Sequence, residues 1–341
     1  MTETKRVVIV GGGITGLATA FYLQEAKREH GLPLEITVVE ASDKLGGKIE
    51  TVRRDGFVIE RGPDSFLIRK KSVERLARAL QIDDQLVRNA TGQAFVLLHD
   101  RLHPIPGGSV MGIPTELSPF ITTELFSWLG KLRAAGDFIM PRSRVKGDQA
   151  VGPFFRRRFG KEVVENLIEP LLSGVYSGDI NYMSLQATFP QFVQAEKKHR
   201  SLILGMRKSK SKQLPQKDSH SSKKEGAFHT FRNGLSTLVE ALEAHLTDVT
   251  FLTNTSVQDI ERTGDRATLT LSDGQVLQAD DVVLTTSHRI AGDIMKRHDI
   301  LQEIATIPTT STVAVSLAYN ADQVVQEQNG TGFLVSKKNN Y

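Results

Sequence analysis

The chain opens its pattern with a continuous apolar block, Val7 to Val10, which predicts a strand buried on both faces. Behind it the period changes. Ile14, Leu17, Ala18 and Phe21 recur at helical spacing, and Gly31 is placed to stop that helix. Leu34 to Val39 is a second apolar run of strand length. Residues 52–60 alternate about a hairpin turn at Asp55-Gly56, and the turn cluster Gly62 to Ser65 leads into RKKSVERLARALQI. That segment predicts an amphipathic helix with Ser72 as N-cap and Val73, Leu76 and Leu80 inward. Residues 95–106 predict a short hairpin, and proline and glycine break the pattern up to about Pro119.

From about 120 to 205 the period is helical. Leu125, Trp128, Leu129 and Leu132 form one stripe, read here as facing a core, with a membrane surface as the alternative for so basic a helix. Residues 151–179 predict two helices divided at Gly160, with a kink or stop near Pro170. Residues 207–226 are basic and nearly free of apolar positions, which predicts a mobile surface loop. Pattern resumes with a turn at Asn233-Gly234 and a helix, then a strand at Val249 to Leu252 and a short strand ending near Val257. A hairpin turning at Ser272-Asp273-Gly274 and a buried strand, Val282 to Leu284, follow. Helix followed by strands suggests that this block returns to complete the sheet begun at Val7.

Composition narrows the chemistry. The 341 residues, 39% hydrophobic, suffice for two lobes with cores of their own, or for one large α/β unit with an inserted subdomain. A net charge of +4 calls for no nucleic-acid partner, and the absence of cysteine excludes disulfides, thiolate metal sites and redox-active cysteine pairs. The nine histidines are scattered and form no metal-binding pattern. MTETKR enters the first strand at once, so no signal peptide is expected. No run reaches the roughly 18 apolar residues that a spanning helix needs; a cytoplasmic protein, at most peripheral to a membrane, is expected.

Between the first strand and its helix lie Gly11, Gly12, Gly13, Ile14, Thr15 and Gly16, which fit G-x-G-x-x-G in its strand-to-helix setting. Gly11 suits the tight turn, Gly13 close approach to a pyrophosphate, and Gly16 close packing of helix on strand. The helix N-terminus offers free N–H groups to phosphates. Glu40 ends the second strand at a spacing suited to a ribose hydroxyl. Together these predict a dinucleotide site. The acid followed by Gly46, Gly47 and Lys48 looks like the second fingerprint of flavoproteins that hold extended FAD, and favours FAD over NAD.

Read together, GGGITGLATAFYL, EASDKLGGKI, ERGPDSFL, FFRRRFG, EVVENLIEPLLSGVYSGD and ATFPQF resemble the oxygen-dependent porphyrinogen oxidases of haem biosynthesis, within the amine-oxidase-like FAD flavoproteins. The likeness is strongest to the soluble Gram-positive type that converts coproporphyrinogen III to coproporphyrin III; protoporphyrinogen IX oxidation, another amine-oxidase-like flavoenzyme, and a catalytically silent protein that binds flavin or porphyrin are the alternatives left open. It implies an α/β fold: a Rossmann-type FAD-binding domain (1–70 and 227–300), an inserted, mostly helical lobe (71–206) and part of a substrate-binding sheet domain (301–341). It implies a flavin that is reduced by a tetrapyrrole and reoxidised by oxygen to give hydrogen peroxide, with product handed to the next enzyme of the pathway. Cofactor contacts would be Gly11 to Gly16, Glu40, Ala41, Gly47, Lys48, and Gly62, Pro63, Asp64 and Ser65, with the backbone of Val257 at the adenine. Arg69 and Lys71 are the candidates for the substrate propionates, ahead of Arg156 to Arg158, His199 and Arg200. No acid or base is singled out. The resemblance also leads one to expect a further segment beyond Tyr341 that returns to the flavin.

Overall fold

The computed structural model describes residues 3–89, 92–212, 228–324 and 330–336. The chain divides into two compact units, the first Met1–Asn89, Ala227–Thr309 and Val313–Ala318, the second Ala90–Gly226, Thr310–Thr312 and Tyr319–Tyr341.

The first unit is built on four parallel strands. β1 (Lys5–Val10) lies between β2 (Leu34–Val39) and β4 (Asp281–Leu284), and β3 (Val249–Leu252) pairs with the outer edge of β2. The helix α1 (Ile14–His30) connects β1 to β2 and ends on Gly31 in the left-handed region, φ +63°. Alternation along β1 sorts its side chains into two cores. Ile9 packs with Leu17, Phe21, Leu238 and Leu242 on the helical side, while Val8 and Val10 pack with Val257, Ile260 and Leu269 on the other. That second side is covered by an antiparallel sheet of Val257–Thr263, Arg266–Leu271 and Val276–Ala279. The late strands therefore do complete the sheet begun at β1, and the fold is α/β with a Rossmann-type parallel sheet.

The second unit is mainly helical, with the hairpin Phe95–Leu98/Arg101–Pro104, to which Phe333–Val335 adds a parallel strand. Its helices include α2 (Trp128–Ala135), α3 (Val151–Phe159) and α4 (Pro190–His199). Phe154, Phe155, Phe159, Phe189 and Phe192 are fully buried and pack ring against ring. Beside them Arg158 is buried with Asp137 and Glu196: its Nη1 lies 3.2 Å from Asp137 Oδ1, and its Nε donates to Glu196 Oε1 at 3.1 Å. Ser201 Oγ and the Ile203 N–H donate to the other Asp137 oxygen, and Ser143 N–H to Glu196, so the buried charges are both paired and hydrogen-bonded.

Several expectations are corrected. The helix after the turn cluster is Lys71–Ala79, so Ser72 lies within its first turn and Lys70 takes the cap position. Val257 starts its strand, and Val282 to Leu284 are half-buried on an edge strand. The chain does not stop at Pro170; a π-helical turn, Val164–Ile168, lies immediately before Glu169–Tyr176, and Pro170 stands in the first turn of that helix. The basic stretch from 207 begins as helix, Leu202–Lys212, and the rest of it, 213–226, lies outside the described residues. Most consequentially, the α2 stripe does not face the core. Leu125 is buried, but Trp128, Leu129 and Leu132 are 73, 79 and 71% exposed. Among the described residues no helix is long and apolar enough to cross a membrane.

Candidate dinucleotide site

Val10, Val39, Leu252 and Leu284 stand in one row across the parallel sheet, because their registers pair Val10 with both Val39 and Leu284, and Val39 with Leu252. All four strands thus run out at one edge, and a cavity of about 620 Å³ opens there. In sheets of this kind ligands bind beyond the carboxyl ends of the strands.

The glycines at this edge separate into two physical classes. Some are required by the protein itself. Gly11 has φ +107°, and a Cβ on Gly16 would lie 1.9 Å from the Gly11 carbonyl oxygen, so no side chain fits where α1 crosses the turn. A Cβ on Gly12 would meet Leu45 at 2.7 Å. Gly13 is different. Its φ is −71°, an ordinary value, and a Cβ there would have no neighbour closer than the Gly47 Cα at 4.0 Å. Nothing within the fold demands a glycine at that position; what it faces is the cavity. Gly13 is also the N-cap of α1 and supplies no side-chain cap, so the first N–H groups of the helix are left to whatever enters.

Glu40 holds the turn and lines the cavity at once. Its Oε2 accepts the Gly12 N–H at 2.6 Å, and its Oε1 accepts from Ser42 N–H and Oγ at 2.8 and 2.7 Å. A carboxylate offers about four lone-pair sites, so one acceptor position remains for a ligand hydroxyl. The second glycine pair is tied to the first: Gly46 N–H donates to Gly12 O at 2.9 Å, and Gly13 and Gly46 form a parallel bridge. This brings Gly47 and the exposed Lys48 to the cavity wall, with Ala41 beside Glu40. Ile14 and Thr15 line it from the helix start, and Pro63 and Val257 close it further along.

Not every candidate lines the cavity. Gly12 and Gly16 serve packing. Gly62 does likewise, since a Cβ there would lie 1.9 Å from Lys48 O. Asp64 and Ser65 are joined by a 2.7 Å hydrogen bond in the turn that follows Pro63. Sequence reasoning missed Thr285, Thr286 and Ser287, which follow β4 as Gly11 follows β1. Thr285 Oγ1 donates at 2.9 Å to both Val10 O and Gly11 O and so braces the glycine turn. The signal was available in principle: three hydroxyl residues directly after a strand read as returning to the same sheet.

Arg69 and Lys71 are exposed and do not line the cavity. Lys71 Nζ is 2.7 Å from Glu74 Oε2, and that hydrogen bond, more than any other influence, holds the Glu74 carboxyl below its usual range. His229, on the neighbouring strand Phe228–Phe231, is pushed below the usual histidine range first by burial, then by the positive charge of Arg88; its Nδ1 is buried without a hydrogen-bond partner. Arg156 bonds Asn181 and Arg157 bonds the Pro141 carbonyl, while Arg158 is the buried cation described above. Arg200 donates to Ile139 O at 3.0 Å. These four are therefore occupied within the second unit.

Residues 14–339 match the family described as flavin containing amine oxidoreductase. The chain is 50% identical over 337 residues to a coproporphyrinogen III oxidase of Bacillus subtilis, covering 99% of this chain and 71% of that protein. It is 40% identical to the coproporphyrinogen III oxidase of Staphylococcus aureus, covering 98% of this chain and 72% of that one. Among solved structures it resembles a putative protoporphyrinogen oxidase from Exiguobacterium, with a TM-score of 0.73 and 42% identity over 87% of this chain and 62% of that chain.

Proposed function

This chain belongs to the flavin containing amine oxidoreductases, and from that premise we propose that it is an FAD-dependent porphyrinogen oxidase of haem synthesis that acts on coproporphyrinogen III. The observation that carries the cofactor assignment is Gly13, a glycine that the fold does not require, at the open N-terminus of α1 and facing the cavity. The names and identities of the Bacillus and Staphylococcus relatives support the substrate. Their activity belongs to longer chains, of which this one spans 71 and 72%.

In this reading the first unit is the flavin-binding domain, and the second supplies the helical lobe together with the beginning of a substrate sheet. The N–H groups at the start of α1 take the pyrophosphate, and Lys48 adds a cation beside it. The remaining lone pair of Glu40 accepts a ribose hydroxyl, and the backbone at Val257 meets the adenine. The turn at Gly62 to Ser65 runs on toward the flavin, and Arg69 and Lys71, just after it, face the propionates of the substrate. When bound, the flavin supplies the two-electron acceptor that takes hydride equivalents from the reduced macrocycle and passes them to oxygen, giving hydrogen peroxide. The chain's own share is to bind and orient. Its product would pass to the next enzyme of the pathway, and the setting is the cytoplasm.

The test is anaerobic mixing of the FAD-loaded protein with coproporphyrinogen III and, separately, with protoporphyrinogen IX, following the flavin absorbance. Faster bleaching with coproporphyrinogen is the expected outcome. Equal or reversed rates overturn the substrate, and a protein that takes up no FAD overturns the whole reading.

A further inference from the structure

The helix Lys71–Ala79 carries a carboxylate seated between two cations of its own. Glu74 Oε2 accepts from Lys71 Nζ at 2.7 Å, and Glu74 Oε1 accepts from Arg78 Nη2 at 2.5 Å, so each oxygen has a separate partner. The three residues stand three and four positions apart, which places them on one face of the helix. Their exposure is unequal. The Glu74 side chain is 18% exposed, whereas those of Lys71 and Arg78 are 62 and 63% exposed. The carboxylate is therefore the fixed member, and the cations, on long flexible stems, are the movable ones. In the stretch RKKSVERLAR, residues 69–78, Glu74 is the one acid among five basic side chains. Other charges bear on the trio: His229 acts on Glu74 from the strand Phe228–Phe231, Arg88 acts on His229, and Arg78 lies 4.0 Å from Asp83.

We infer that Glu74 is an internal competitor for the substrate's carboxylates at Lys71, and so sets how tightly an anionic tetrapyrrole is held there. The inference rests on the reading above in which Lys71 meets a propionate. A propionate that bonds the Lys71 ammonium must either share it with Glu74 or take its place. Sharing brings two carboxylates to one ammonium, where like charges repel. Exchange is the easier course, because Glu74 released by Lys71 is not left unpaired: its Oε1 keeps Arg78. The bond to be exchanged is also a weak one, since its lysine end is in solvent. Oxidation of the macrocycle leaves its propionates untouched, so Lys71 alone would hold product as firmly as substrate, and binding the two equally well does not help turnover. A resident carboxylate that reclaims the ammonium favours release. Glu74 acts through Lys71 and touches no substrate, which makes it a positioning residue.

The test is a titration of the FAD-loaded chain with coproporphyrin III, followed by porphyrin absorbance, for the parent and for E74Q, K71Q and E74Q/K71Q. E74Q is expected to bind the porphyrin about two- to fivefold more tightly, with slower release and with circular dichroism and Tm unchanged. In the K71Q background the same substitution is expected to change the affinity by less than about 1.5-fold. R78Q supplies an independent arm should E74Q fold poorly. It leaves Glu74 with Lys71 as its one partner on the helix, and binding about twofold weaker is expected, again with no effect once Lys71 is replaced. Equal or weaker binding by folded E74Q overturns the proposal. A gain that persists in K71Q overturns it too, because it would report only the loss of a distant negative charge. If K71Q binds as tightly as the parent, or the parent takes up FAD and no porphyrin, the substrate contact at Lys71 falls first and the proposal falls with it.

Discussion

At the scale of single residues, two glycines three positions apart do opposite things. A methyl group on Gly16 must displace the Gly11 carbonyl, so Gly16→Ala is expected to lose ~3 kcal/mol of stability. Gly13→Ala meets open space and is expected to cost about 1 kcal/mol or less, while weakening flavin uptake about tenfold, ~1.4 kcal/mol. Chemical denaturation and flavin titration of the two variants separate these effects. The motif was legible because each glycine stands at a position whose geometry the preceding strand and following helix already dictate. Lys71 was legible as a cation suited to an anion, but its pairing with Glu74, one turn on, is a contact that the type of residue alone does not announce. His229 carries a pH consequence. Its value lies below the ordinary 6.5, chiefly through burial, so the unfolded chain binds the proton more readily than the folded one. The stability it contributes is present above 6.5 and is lost as the pH falls through that value toward the folded-state value. In a His229→Phe variant the fall of Tm on acidification through this window is expected to be shallower than in the parent.

At the scale of elements, periodicity located the four strands of the parallel sheet and the helix that follows the first of them, but could not tell which side of a helix faces in. The stripe on α2 is real; its direction is decided by polar anchors that hydrophobic period does not register. Ser127 N–H and Oγ both donate to the Glu162 carboxylate, at 2.6 and 2.7 Å, and Arg133 reaches the carbonyls of Arg157 and Arg158 at the end of α3. These contacts pull the Gly130 and Ala134 face down and leave the apolar row outside. The same limit applies to Arg158. Three consecutive arginines read as lower-ranked candidates for a substrate anion, yet the middle of the second unit places one of them, Arg158, between Asp137 and Glu196. Arg158→Met would strand both carboxylates in an apolar core, and a loss of about 3–5 kcal/mol is expected in denaturant unfolding. Arg156→Gln, at an exposed hydrogen bond to Asn181, is expected to stay within about 0.5 kcal/mol.

At the scale of the molecule, the alternation of short strands and helices was enough to anticipate a parallel sheet closed by late segments, because β-branched runs ending in glycine or hydroxyl residues leave few other topologies. Phe333–Val335 joining the hairpin at Phe95 was not foreseeable, since a three-residue strand carries almost no pattern. The cavity lies wholly within the first unit. Flavin at about a hundred times its Kd should stabilise the native state by ~2.7 kcal/mol. Hydrogen exchange is expected to show the gain in protection at Gly11 to Gly16, Glu40 and Thr255 to Val257, with the helices around Phe155 changed less.

Because β1 is flanked by β2 on one side and β4 on the other, with Val10 opposite Leu284, the binding edge is assembled from pieces made far apart in time. Some 245 residues separate Gly11 from Ser256, so at 5–20 residues per second the ribosome needs roughly ten to fifty seconds to deliver the second wall after the first. Through that interval the nascent β1–β2 pair has both outer edges open, and the cofactor has nowhere to bind. Loading must therefore wait until both walls have been made, and the early edges must be shielded by other means until then.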